Sequence, residues 1–375
     1  MKIGIVGAGI GGLTLAALLR EQQHEVHIFE QQAAIKEVGA GIGIGGNVID
    51  KLGDRDLTKG IKNIGHVLQT TRMLDAQGNV LSEVPFDKNT TNLTVLRQTL
   101  VDTIASYVTD DMLHFNHEVT SVEGSETMAR LHFREQASQT FDLVVGADGI
   151  HSAVRQAVYP KAKVQYQGYT CFRGVVSDLP ELGHVADEYW GAKGRFGIVP
   201  LLNGGAYWFA AINAKENDLH YKRFNKPYLQ AYFNQYPEPV RRVLDQQPET
   251  EILHHDIYDM KPLNTFVYQQ RVVLLGDAAH ATTPNMGQGA GQAMEDAIVL
   301  ANVIDKYDTL AAALKRYDKL RVKHTAKVIK RSRKIGRIAQ KQGRISMSVR
   351  NRVALKLPVW LVSRQLKFLY KAKSE

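Results

Sequence analysis

The chain has 375 residues, 44% of them hydrophobic and 23% charged, with a formal net charge of +9. That length and composition fit a soluble globular protein with a large core and two domains. Cys171 is the only cysteine, which excludes a disulfide framework, a thiolate metal site and a CxxC redox pair, and no run of about 18 uncharged apolar residues is present to span a bilayer.

The charge is divided unevenly. Residues 315–375 hold 20 Lys and Arg against Asp318 and Glu375, a net +18, which leaves −9 on the rest of the chain. The first motif lies within residues 1–12, so no cleavable leader is expected, and the single cysteine suits the cytoplasm.

Residues 1–30 read as strand, tight turn, helix, strand. Ile3, Ile5 and Val6 run into Gly7, Gly9 and Gly12 in the spacing GxGxxG, and a second strand, 26–29, ends at Glu30. The glycines serve the turn, the approach of a pyrophosphate and the helix–strand contact; Glu30 can accept hydrogen bonds from a ribose diol. Its charge argues against a 2′-phosphate on the bound adenosine. The unit predicts a dinucleotide without saying which one.

Residues 39–47, GAGIGIGGN, are too rich in glycine for a stable helix or strand interior. They are expected to form either a flexible connection or a loop lying against a flat ring. A helical stretch is expected from residue 95 to about 108, with Arg97 near its start as a solvated charge or a contact to the cofactor's phosphate or ribityl region. Residues 141–155, FDLVVGADGIHSAVR, again form an apolar strand ending at an acid, Asp148, before Ser152 and Arg155 begin a helix. The chain thereby returns to the first sheet.

Between 165 and about 261 the texture changes to short alternating and aromatic runs, which predict an antiparallel sheet, with 73–85 adding strands to it. His254, His255 and Asp256 are adjacent, but strand neighbours point to opposite faces, and no metal is expected.

Residues 271–297 close the argument. Val272 to Leu275 form a buried-strand run that stops at Gly276 and Asp277, a turn through Pro284 follows, and Gly287, Gly289 and Gly291 lead into a helix with an apolar face. Alone this is an ordinary strand–turn–helix with a surface Asp. Beside the other two motifs, an acceptor at a strand end next to a bare helix N-terminus suits the ribityl chain and reduced ring of a flavin. The tail, 315–373, begins as a long helix and ends in a basic amphipathic stretch containing Leu357, Val359, Trp360, Leu361, Leu366, Phe368 and Leu369. A solvated helix packed across both domains is the default for it; an anionic membrane surface is the sharper alternative; no nucleic-acid reader motif is recognisable.

Together the three motifs resemble the single-component FAD-dependent monooxygenases of the para-hydroxybenzoate hydroxylase fold, over roughly residues 1–330. Texture such as YQGYTCFRG and GRFGIVPL is similar to the urate hydroxylase and zeaxanthin epoxidase-like branch. Gly46 and Gly291 stand where Pro and Asn are frequent in that family.

The resemblance implies an α/β fold: a Rossmann-like FAD-binding domain, discontinuous over 1–70, 95–164 and 265–310, with an inserted, mainly antiparallel substrate domain, 71–94 and 165–264, and a basic helical segment, 311–375. It implies non-covalent FAD held by Gly7, Gly9, Gly12, Glu30, Arg97, Asp148, Asp277, Gly287 and Gly289. NADPH or NADH would visit transiently, and O2 would be the co-substrate. One oxygen atom would pass from a flavin C4a-hydroperoxide to a small aromatic or heterocyclic molecule. Arg195 and Tyr207 match an Arg and a Tyr that face the substrate in that branch; a hairpin pairing of their strands would place both on one face. A flavin-dependent reductase of a lipid-like substrate and a membrane-associated epoxidase are the alternatives.

Overall fold

The computed structural model describes residues 1–35, 39–356, 358 and 368–369. Its first layer is a six-stranded sheet in which Glu25–Phe29, Lys2–Val6, Leu143–Gly146 and Val272–Leu274 lie side by side and parallel. These strands are apolar on both faces because both are covered. The helices Ile10–Glu21 and Gly289–Lys306 pack on the sheet, and Ile3, Ile5, Leu13, Val145, Leu274, Met294 and Leu300 meet in one core. The three sequence motifs leave the C-terminal ends of three neighbouring strands, where parallel sheets bind ligands.

The second layer is a seven-stranded sheet running Leu253–Met260, Val164–Val176, Ala206–Asn213, Gly194–Pro200, Val185–Gly191, Thr70–Asp75, Val80–Pro85. It is antiparallel except where Thr70–Asp75 pairs with Val185–Gly191. Phe172, Phe196, Ile198, Trp208 and Ile212 cover one face and pack on Leu229, Phe233, Val240 and Leu244, which belong to the helices Lys226–Tyr232 and Glu238–Gln246 or the turn after the first. Trp208 Nε1 donates to Gln247 Oε1 at 2.7 Å, which satisfies the one polar atom of that buried ring. The opposite face looks back toward the first layer.

A 30-residue helix, Leu310–Ala339, ties the layers together. Near its start Tyr317 donates to Leu274 O at 3.1 Å, and Asp318 accepts from Phe266 N. Further on, Arg333 makes paired bonds of 2.7 and 2.8 Å to Asp259 on the seven-stranded sheet. Among the described residues no helix is long and apolar enough to cross a membrane, and no group of three or more His, Cys, Asp or Glu is placed to hold a metal. His254 stacks on Phe172 at 4.2 Å, while His255 points to the other face.

Two local expectations need correction. Residues 39–47 are not a loop throughout: Gly41–Ile44 is a strand paired with Asn92–Leu96, and a helix, Gly46–Leu52, follows. Glycine content argued against a strand, but pairing with a buried neighbour outweighs that propensity, and the glycines are needed for another reason: any Cβ on Gly41 would overlap the ring of Tyr207. The helix expected from residue 95 starts at Arg97, because 92–96 is that partner strand. Of the tail residues singled out above, Leu357, Val359, Trp360, Leu361 and Leu366 lie outside the described residues.

Candidate functional site

Glycines shape all three turns: Gly7, Gly149 and Gly276 each have a positive φ, which side chains rarely adopt. Gly7 has φ +102°, and a Cβ there would come within 2.6 Å of Ala147 O, so the first turn and the turn bearing Asp148 touch through backbone. A Cβ on Gly12 would overlap the Gly7 carbonyl, which explains the third glycine of the spacing. Gly9 is the N-cap of Ile10–Glu21, with no capping side chain and no acid in the first turn. Glu30 accepts from Ala8 N at 3.0 Å and Gln32 N at 2.9 Å, which fixes its carboxylate beside that helix start.

Asp148 uses one carboxylate oxygen to accept from Val154 N at 3.1 Å, while Oδ1 is buried without a hydrogen-bond partner. Burial raises its pKa, partly opposed by bonds to Ser152 and to backbone N–H groups. Arg155 is buried and ties this turn to the next, donating to Ile150 O at 2.5 Å and Ala278 O at 3.1 Å.

Asp277 opens a single helical turn after Gly276, whose φ is +61°. Asp277 is exposed to solvent, yet the surrounding protein raises its pKa through burial, against the pull of His280, Arg97 and Arg155. Both facts describe a carboxylate on the floor of a cleft. Gly287 is left-handed (φ +59°), and Gly289 begins the helix Gly289–Lys306; a Cβ on either, or on Gly149, would meet nothing within 4 Å. That helix has neither a capping side chain nor an acid in its first turn.

The residues therefore fit FAD. Two uncapped helix starts, Gly9 and Gly289, favour negative charge; Glu30 suits a ribose diol; Asp148 and Asp277 offer acceptors that the protein leaves open or half-open. Arg97 packs over Gly39 and is close enough to Asp277 and His255 to bias both.

Arg195 and Tyr207 lie on one face of the seven-stranded sheet: Arg195 faces Ala211, and Tyr207 faces Val199, four residues further along. They are not brought together. Tyr207 lies against Gly41, with Phe209 beside it, and burial pushes its hydroxyl up to about 12 while Arg173 pulls the other way. Arg195 is 3% exposed and occupied: it pairs with Glu188 at 3.1 Å, donates to Asn285 Oδ1 at 2.6 Å and to Gln340 Oε1 at 3.2 Å. Its bond to Asn285 joins the seven-stranded sheet to the turn Pro284–Met286 that precedes Gly287. As placed, Arg195 steadies that turn through three of its side-chain donors.

Sequence reading missed Arg173, on the same face as Tyr207 and Phe209, and the buried charges behind Asp277. Asp296 accepts from Gly276 N at 2.9 Å and contacts His280 at 2.5 Å. Arg321 bridges Asp296 and Glu295, and Lys51 contacts Glu295. The alternation of residues 169–175 could have flagged Arg173; nothing in the sequence connects position 51 with 295 and 321.

Comparison with known proteins places these features in context. Residues 1–332 match the family described as FAD binding domain. The chain is 35% identical over 364 residues to the aurachin C monooxygenase/isomerase of Stigmatella aurantiaca, covering 94% of each chain. It is 29% identical to the FAD-dependent urate hydroxylase of Klebsiella pneumoniae, covering 89% of each. Among solved structures, Klebsiella pneumoniae HpxO complexed with FAD and uric acid superposes with a TM-score of 0.89 at 25% identity, over 98% of this chain and 97% of that one.

Proposed function

The chain belongs to the FAD binding domain family, and from that membership we propose an NAD(P)H- and O2-dependent monooxygenase that places one oxygen atom in an aromatic or heterocyclic substrate. Bound FAD supplies the activation of O2. The chain's own residues do the rest: the N–H groups around Gly287 and Gly289 favour a negative ring, Asp277 and Glu30 hold polar chains, and the wall of Tyr207 and Phe209 excludes water. The observation that carries the reading is the convergence of three glycine–acid turns on one edge of a parallel sheet, facing an aromatic wall on a second sheet. We take residues 1–70, 95–164 and 265–310 as the cofactor unit and 71–94 with 165–264 as the unit that closes over it. Relatives named for urate and aminohydroxybenzoate support a ring substrate.

The test is direct. The purified protein should be yellow, release FAD on acid precipitation and oxidise NADH or NADPH faster when a ring substrate is present, with O2 uptake matching hydroxylated product. Tyr207→Phe should keep FAD but lower coupling to product about tenfold, the loss expected for one hydrogen bond of roughly 1.4 kcal/mol. A colourless protein that cannot be reconstituted would end the proposal.

One observation favours peripheral contact between the basic tail and an anionic membrane. The helix Arg344–Lys356 leaves Ile345, Val349, Val353 and Leu355 exposed beside Arg344, Arg352 and Lys356. Binding to phosphatidylserine vesicles should fall steeply with salt, since exposed charges are screened beyond about 8–10 Å at physiological ionic strength. Val349→Asp with Val353→Asp should remove vesicle binding and leave FAD in place. Equal vesicle binding at low and high salt, or none at either, would count against membrane contact.

A further inference from the structure

The basic tail lies outside the monooxygenase chemistry, yet one of its residues is tied into the site. The helix Arg344–Lys356 buries a single side chain, and that residue is Arg350, 7% exposed. An apolar residue would anchor a surface helix at lower cost, because a guanidinium withdrawn from water has to be matched by hydrogen bonds. Arg350 Nη1 donates to Ala339 O at 2.9 Å and to Lys341 O at 3.3 Å, and Nε donates to Asn351 Oδ1 at 3.1 Å. The guanidinium lies 5.0 Å over the ring of Trp190.

Ala339 is the last residue of the helix Leu310–Ala339, so Arg350 caps a helix C-terminus, where carbonyls lack partners within the helix and a cation is favoured. The end that it caps is the end that touches the site. Ser332, Gly336 and Gln340 are spaced four apart and form one stripe along that helix. Ser332 O accepts from Asn285 Nδ2 at 3.1 Å, and a Cβ on Gly336 would come within 2.5 Å of the same nitrogen. Gln340 Oε1 accepts from Arg195 Nε at 3.2 Å, and Arg195 donates to Asn285 Oδ1 at 2.6 Å.

Trp190, beneath the Arg350 guanidinium, is the cross-strand neighbour of Arg195. Asn285 lies in the turn Pro284–Met286, which ends at the left-handed Gly287. Tyr169 and Thr283 also hold Asn285, so Arg195 is one grip on that turn among several. A continuous series of contacts therefore runs from Arg350 through the helix end and Gln340 to Arg195, Asn285 and Gly287.

Resting on the monooxygenase reading, we propose that Arg350 is a positioning residue for the flavin. By capping the long helix it holds Gln340 against Arg195, and through Arg195 and Asn285 it sets the turn from which Gly287 offers its backbone to the ring. The tail is then part of the site's architecture, and a change at its root is felt by the cofactor.

The full chain loaded with FAD tests this, with wild type compared against Arg350→Met, Gln340→Met and the double variant. The readouts are the dissociation constant of FAD and the visible circular dichroism of the bound flavin. Each single variant should weaken FAD about two- to tenfold, the range for one hydrogen bond, and alter the flavin's dichroic band. The double variant should be no worse than Arg350→Met alone, because both changes cut one path. Arg350→Lys keeps a cation at the helix end and should restore part of both signals. Unchanged flavin signals in Arg350→Met, or losses that multiply in the double variant, would overturn the proposal. So would a lower melting temperature with flavin signals intact, which would leave Arg350 as an anchor of the tail alone. Should Arg350→Met fail to fold, Gln340→Met decides, and wild-type flavin signals in it would overturn the proposal equally. A wild type that takes up no flavin would sink the monooxygenase reading and this inference together, whereas a yellow wild type with unaffected variants would sink this inference alone.

Discussion

Asp277→Ala is expected to purify folded and nearly free of flavin. The carboxylate sits on the floor of the cleft, where burial raises its pKa and only His280, Arg97 and Arg155 favour its charge. A charge held in that way is a burden on the empty protein, because desolvation disfavours the ionised form in the fold more than in the unfolded chain. A folded pKa above the unfolded one means that, above about pH 4, the ionised group opposes folding. Removing it should leave the melting temperature of the apoprotein unchanged or slightly raised. With FAD bound, the balance reverses. Losing a charged acceptor costs roughly 1.5–3 kcal/mol, so FAD should bind about ten- to a hundredfold more weakly. Flavin-to-protein absorbance after gel filtration, paired with apoprotein melting, checks both halves. Retained flavin, or a large fall in apoprotein melting temperature, would show that Asp277 is structural.

The parts of this molecule legible in the sequence are those in which one short stretch carries both the element and its reason. Gly7, Gly9 and Gly12 sit between a strand and a helix, so the turn chemistry and the pyrophosphate chemistry are written in six residues. Asp148 and Asp277 each end an apolar strand, which the alternation of apolar run and glycine reveals. The strand Gly41–Ile44 was hidden because its stability comes from Asn92–Leu96, some fifty residues away, and Gly41 makes room for Tyr207, more than 160 residues away. Arg195 illustrates a further limit. The alternating pattern places it on the correct face, but the pattern is silent about Glu188, Asn285 and Gln340, which take up its donors. Arg173 shows the same alternating pattern, and only the fold separates the surroundings of the two.

Arg321→Met is expected to be the most damaging single change away from the cofactor. Arg321 is 1% exposed, and its guanidinium meets Asp296 Oδ1 at 2.5 Å, Glu295 Oε2 at 3.0 Å and Gln292 Oε1 at 2.8 Å. Both carboxylates are fully buried; Lys51 and His324 also lie against Glu295, and His280 and Gly276 N against Asp296. Burial would raise the Asp296 pKa, but His280 and Arg321 prevail and hold it at about 2. Its contribution to stability is present above the unfolded value near 4 and is lost as pH falls toward 2. Without Arg321 that stabilisation fails at neutral pH as well, since one carboxylate then lies buried without its main counter-charge. Breaking a buried pair in this way costs about 3–5 kcal/mol, a fall in melting temperature on the order of 5–10 °C. The damage should also reach the site, because Asp296 accepts from Gly276 N and fixes the turn that presents Asp277. Arg321→Met should therefore lose FAD more readily than its stability alone explains. Adding Asp296→Asn should recover part of the melting temperature by removing the stranded charge, without recovering flavin affinity. If the double variant melts no higher than Arg321→Met, the ion cluster is not what holds this part of the core together.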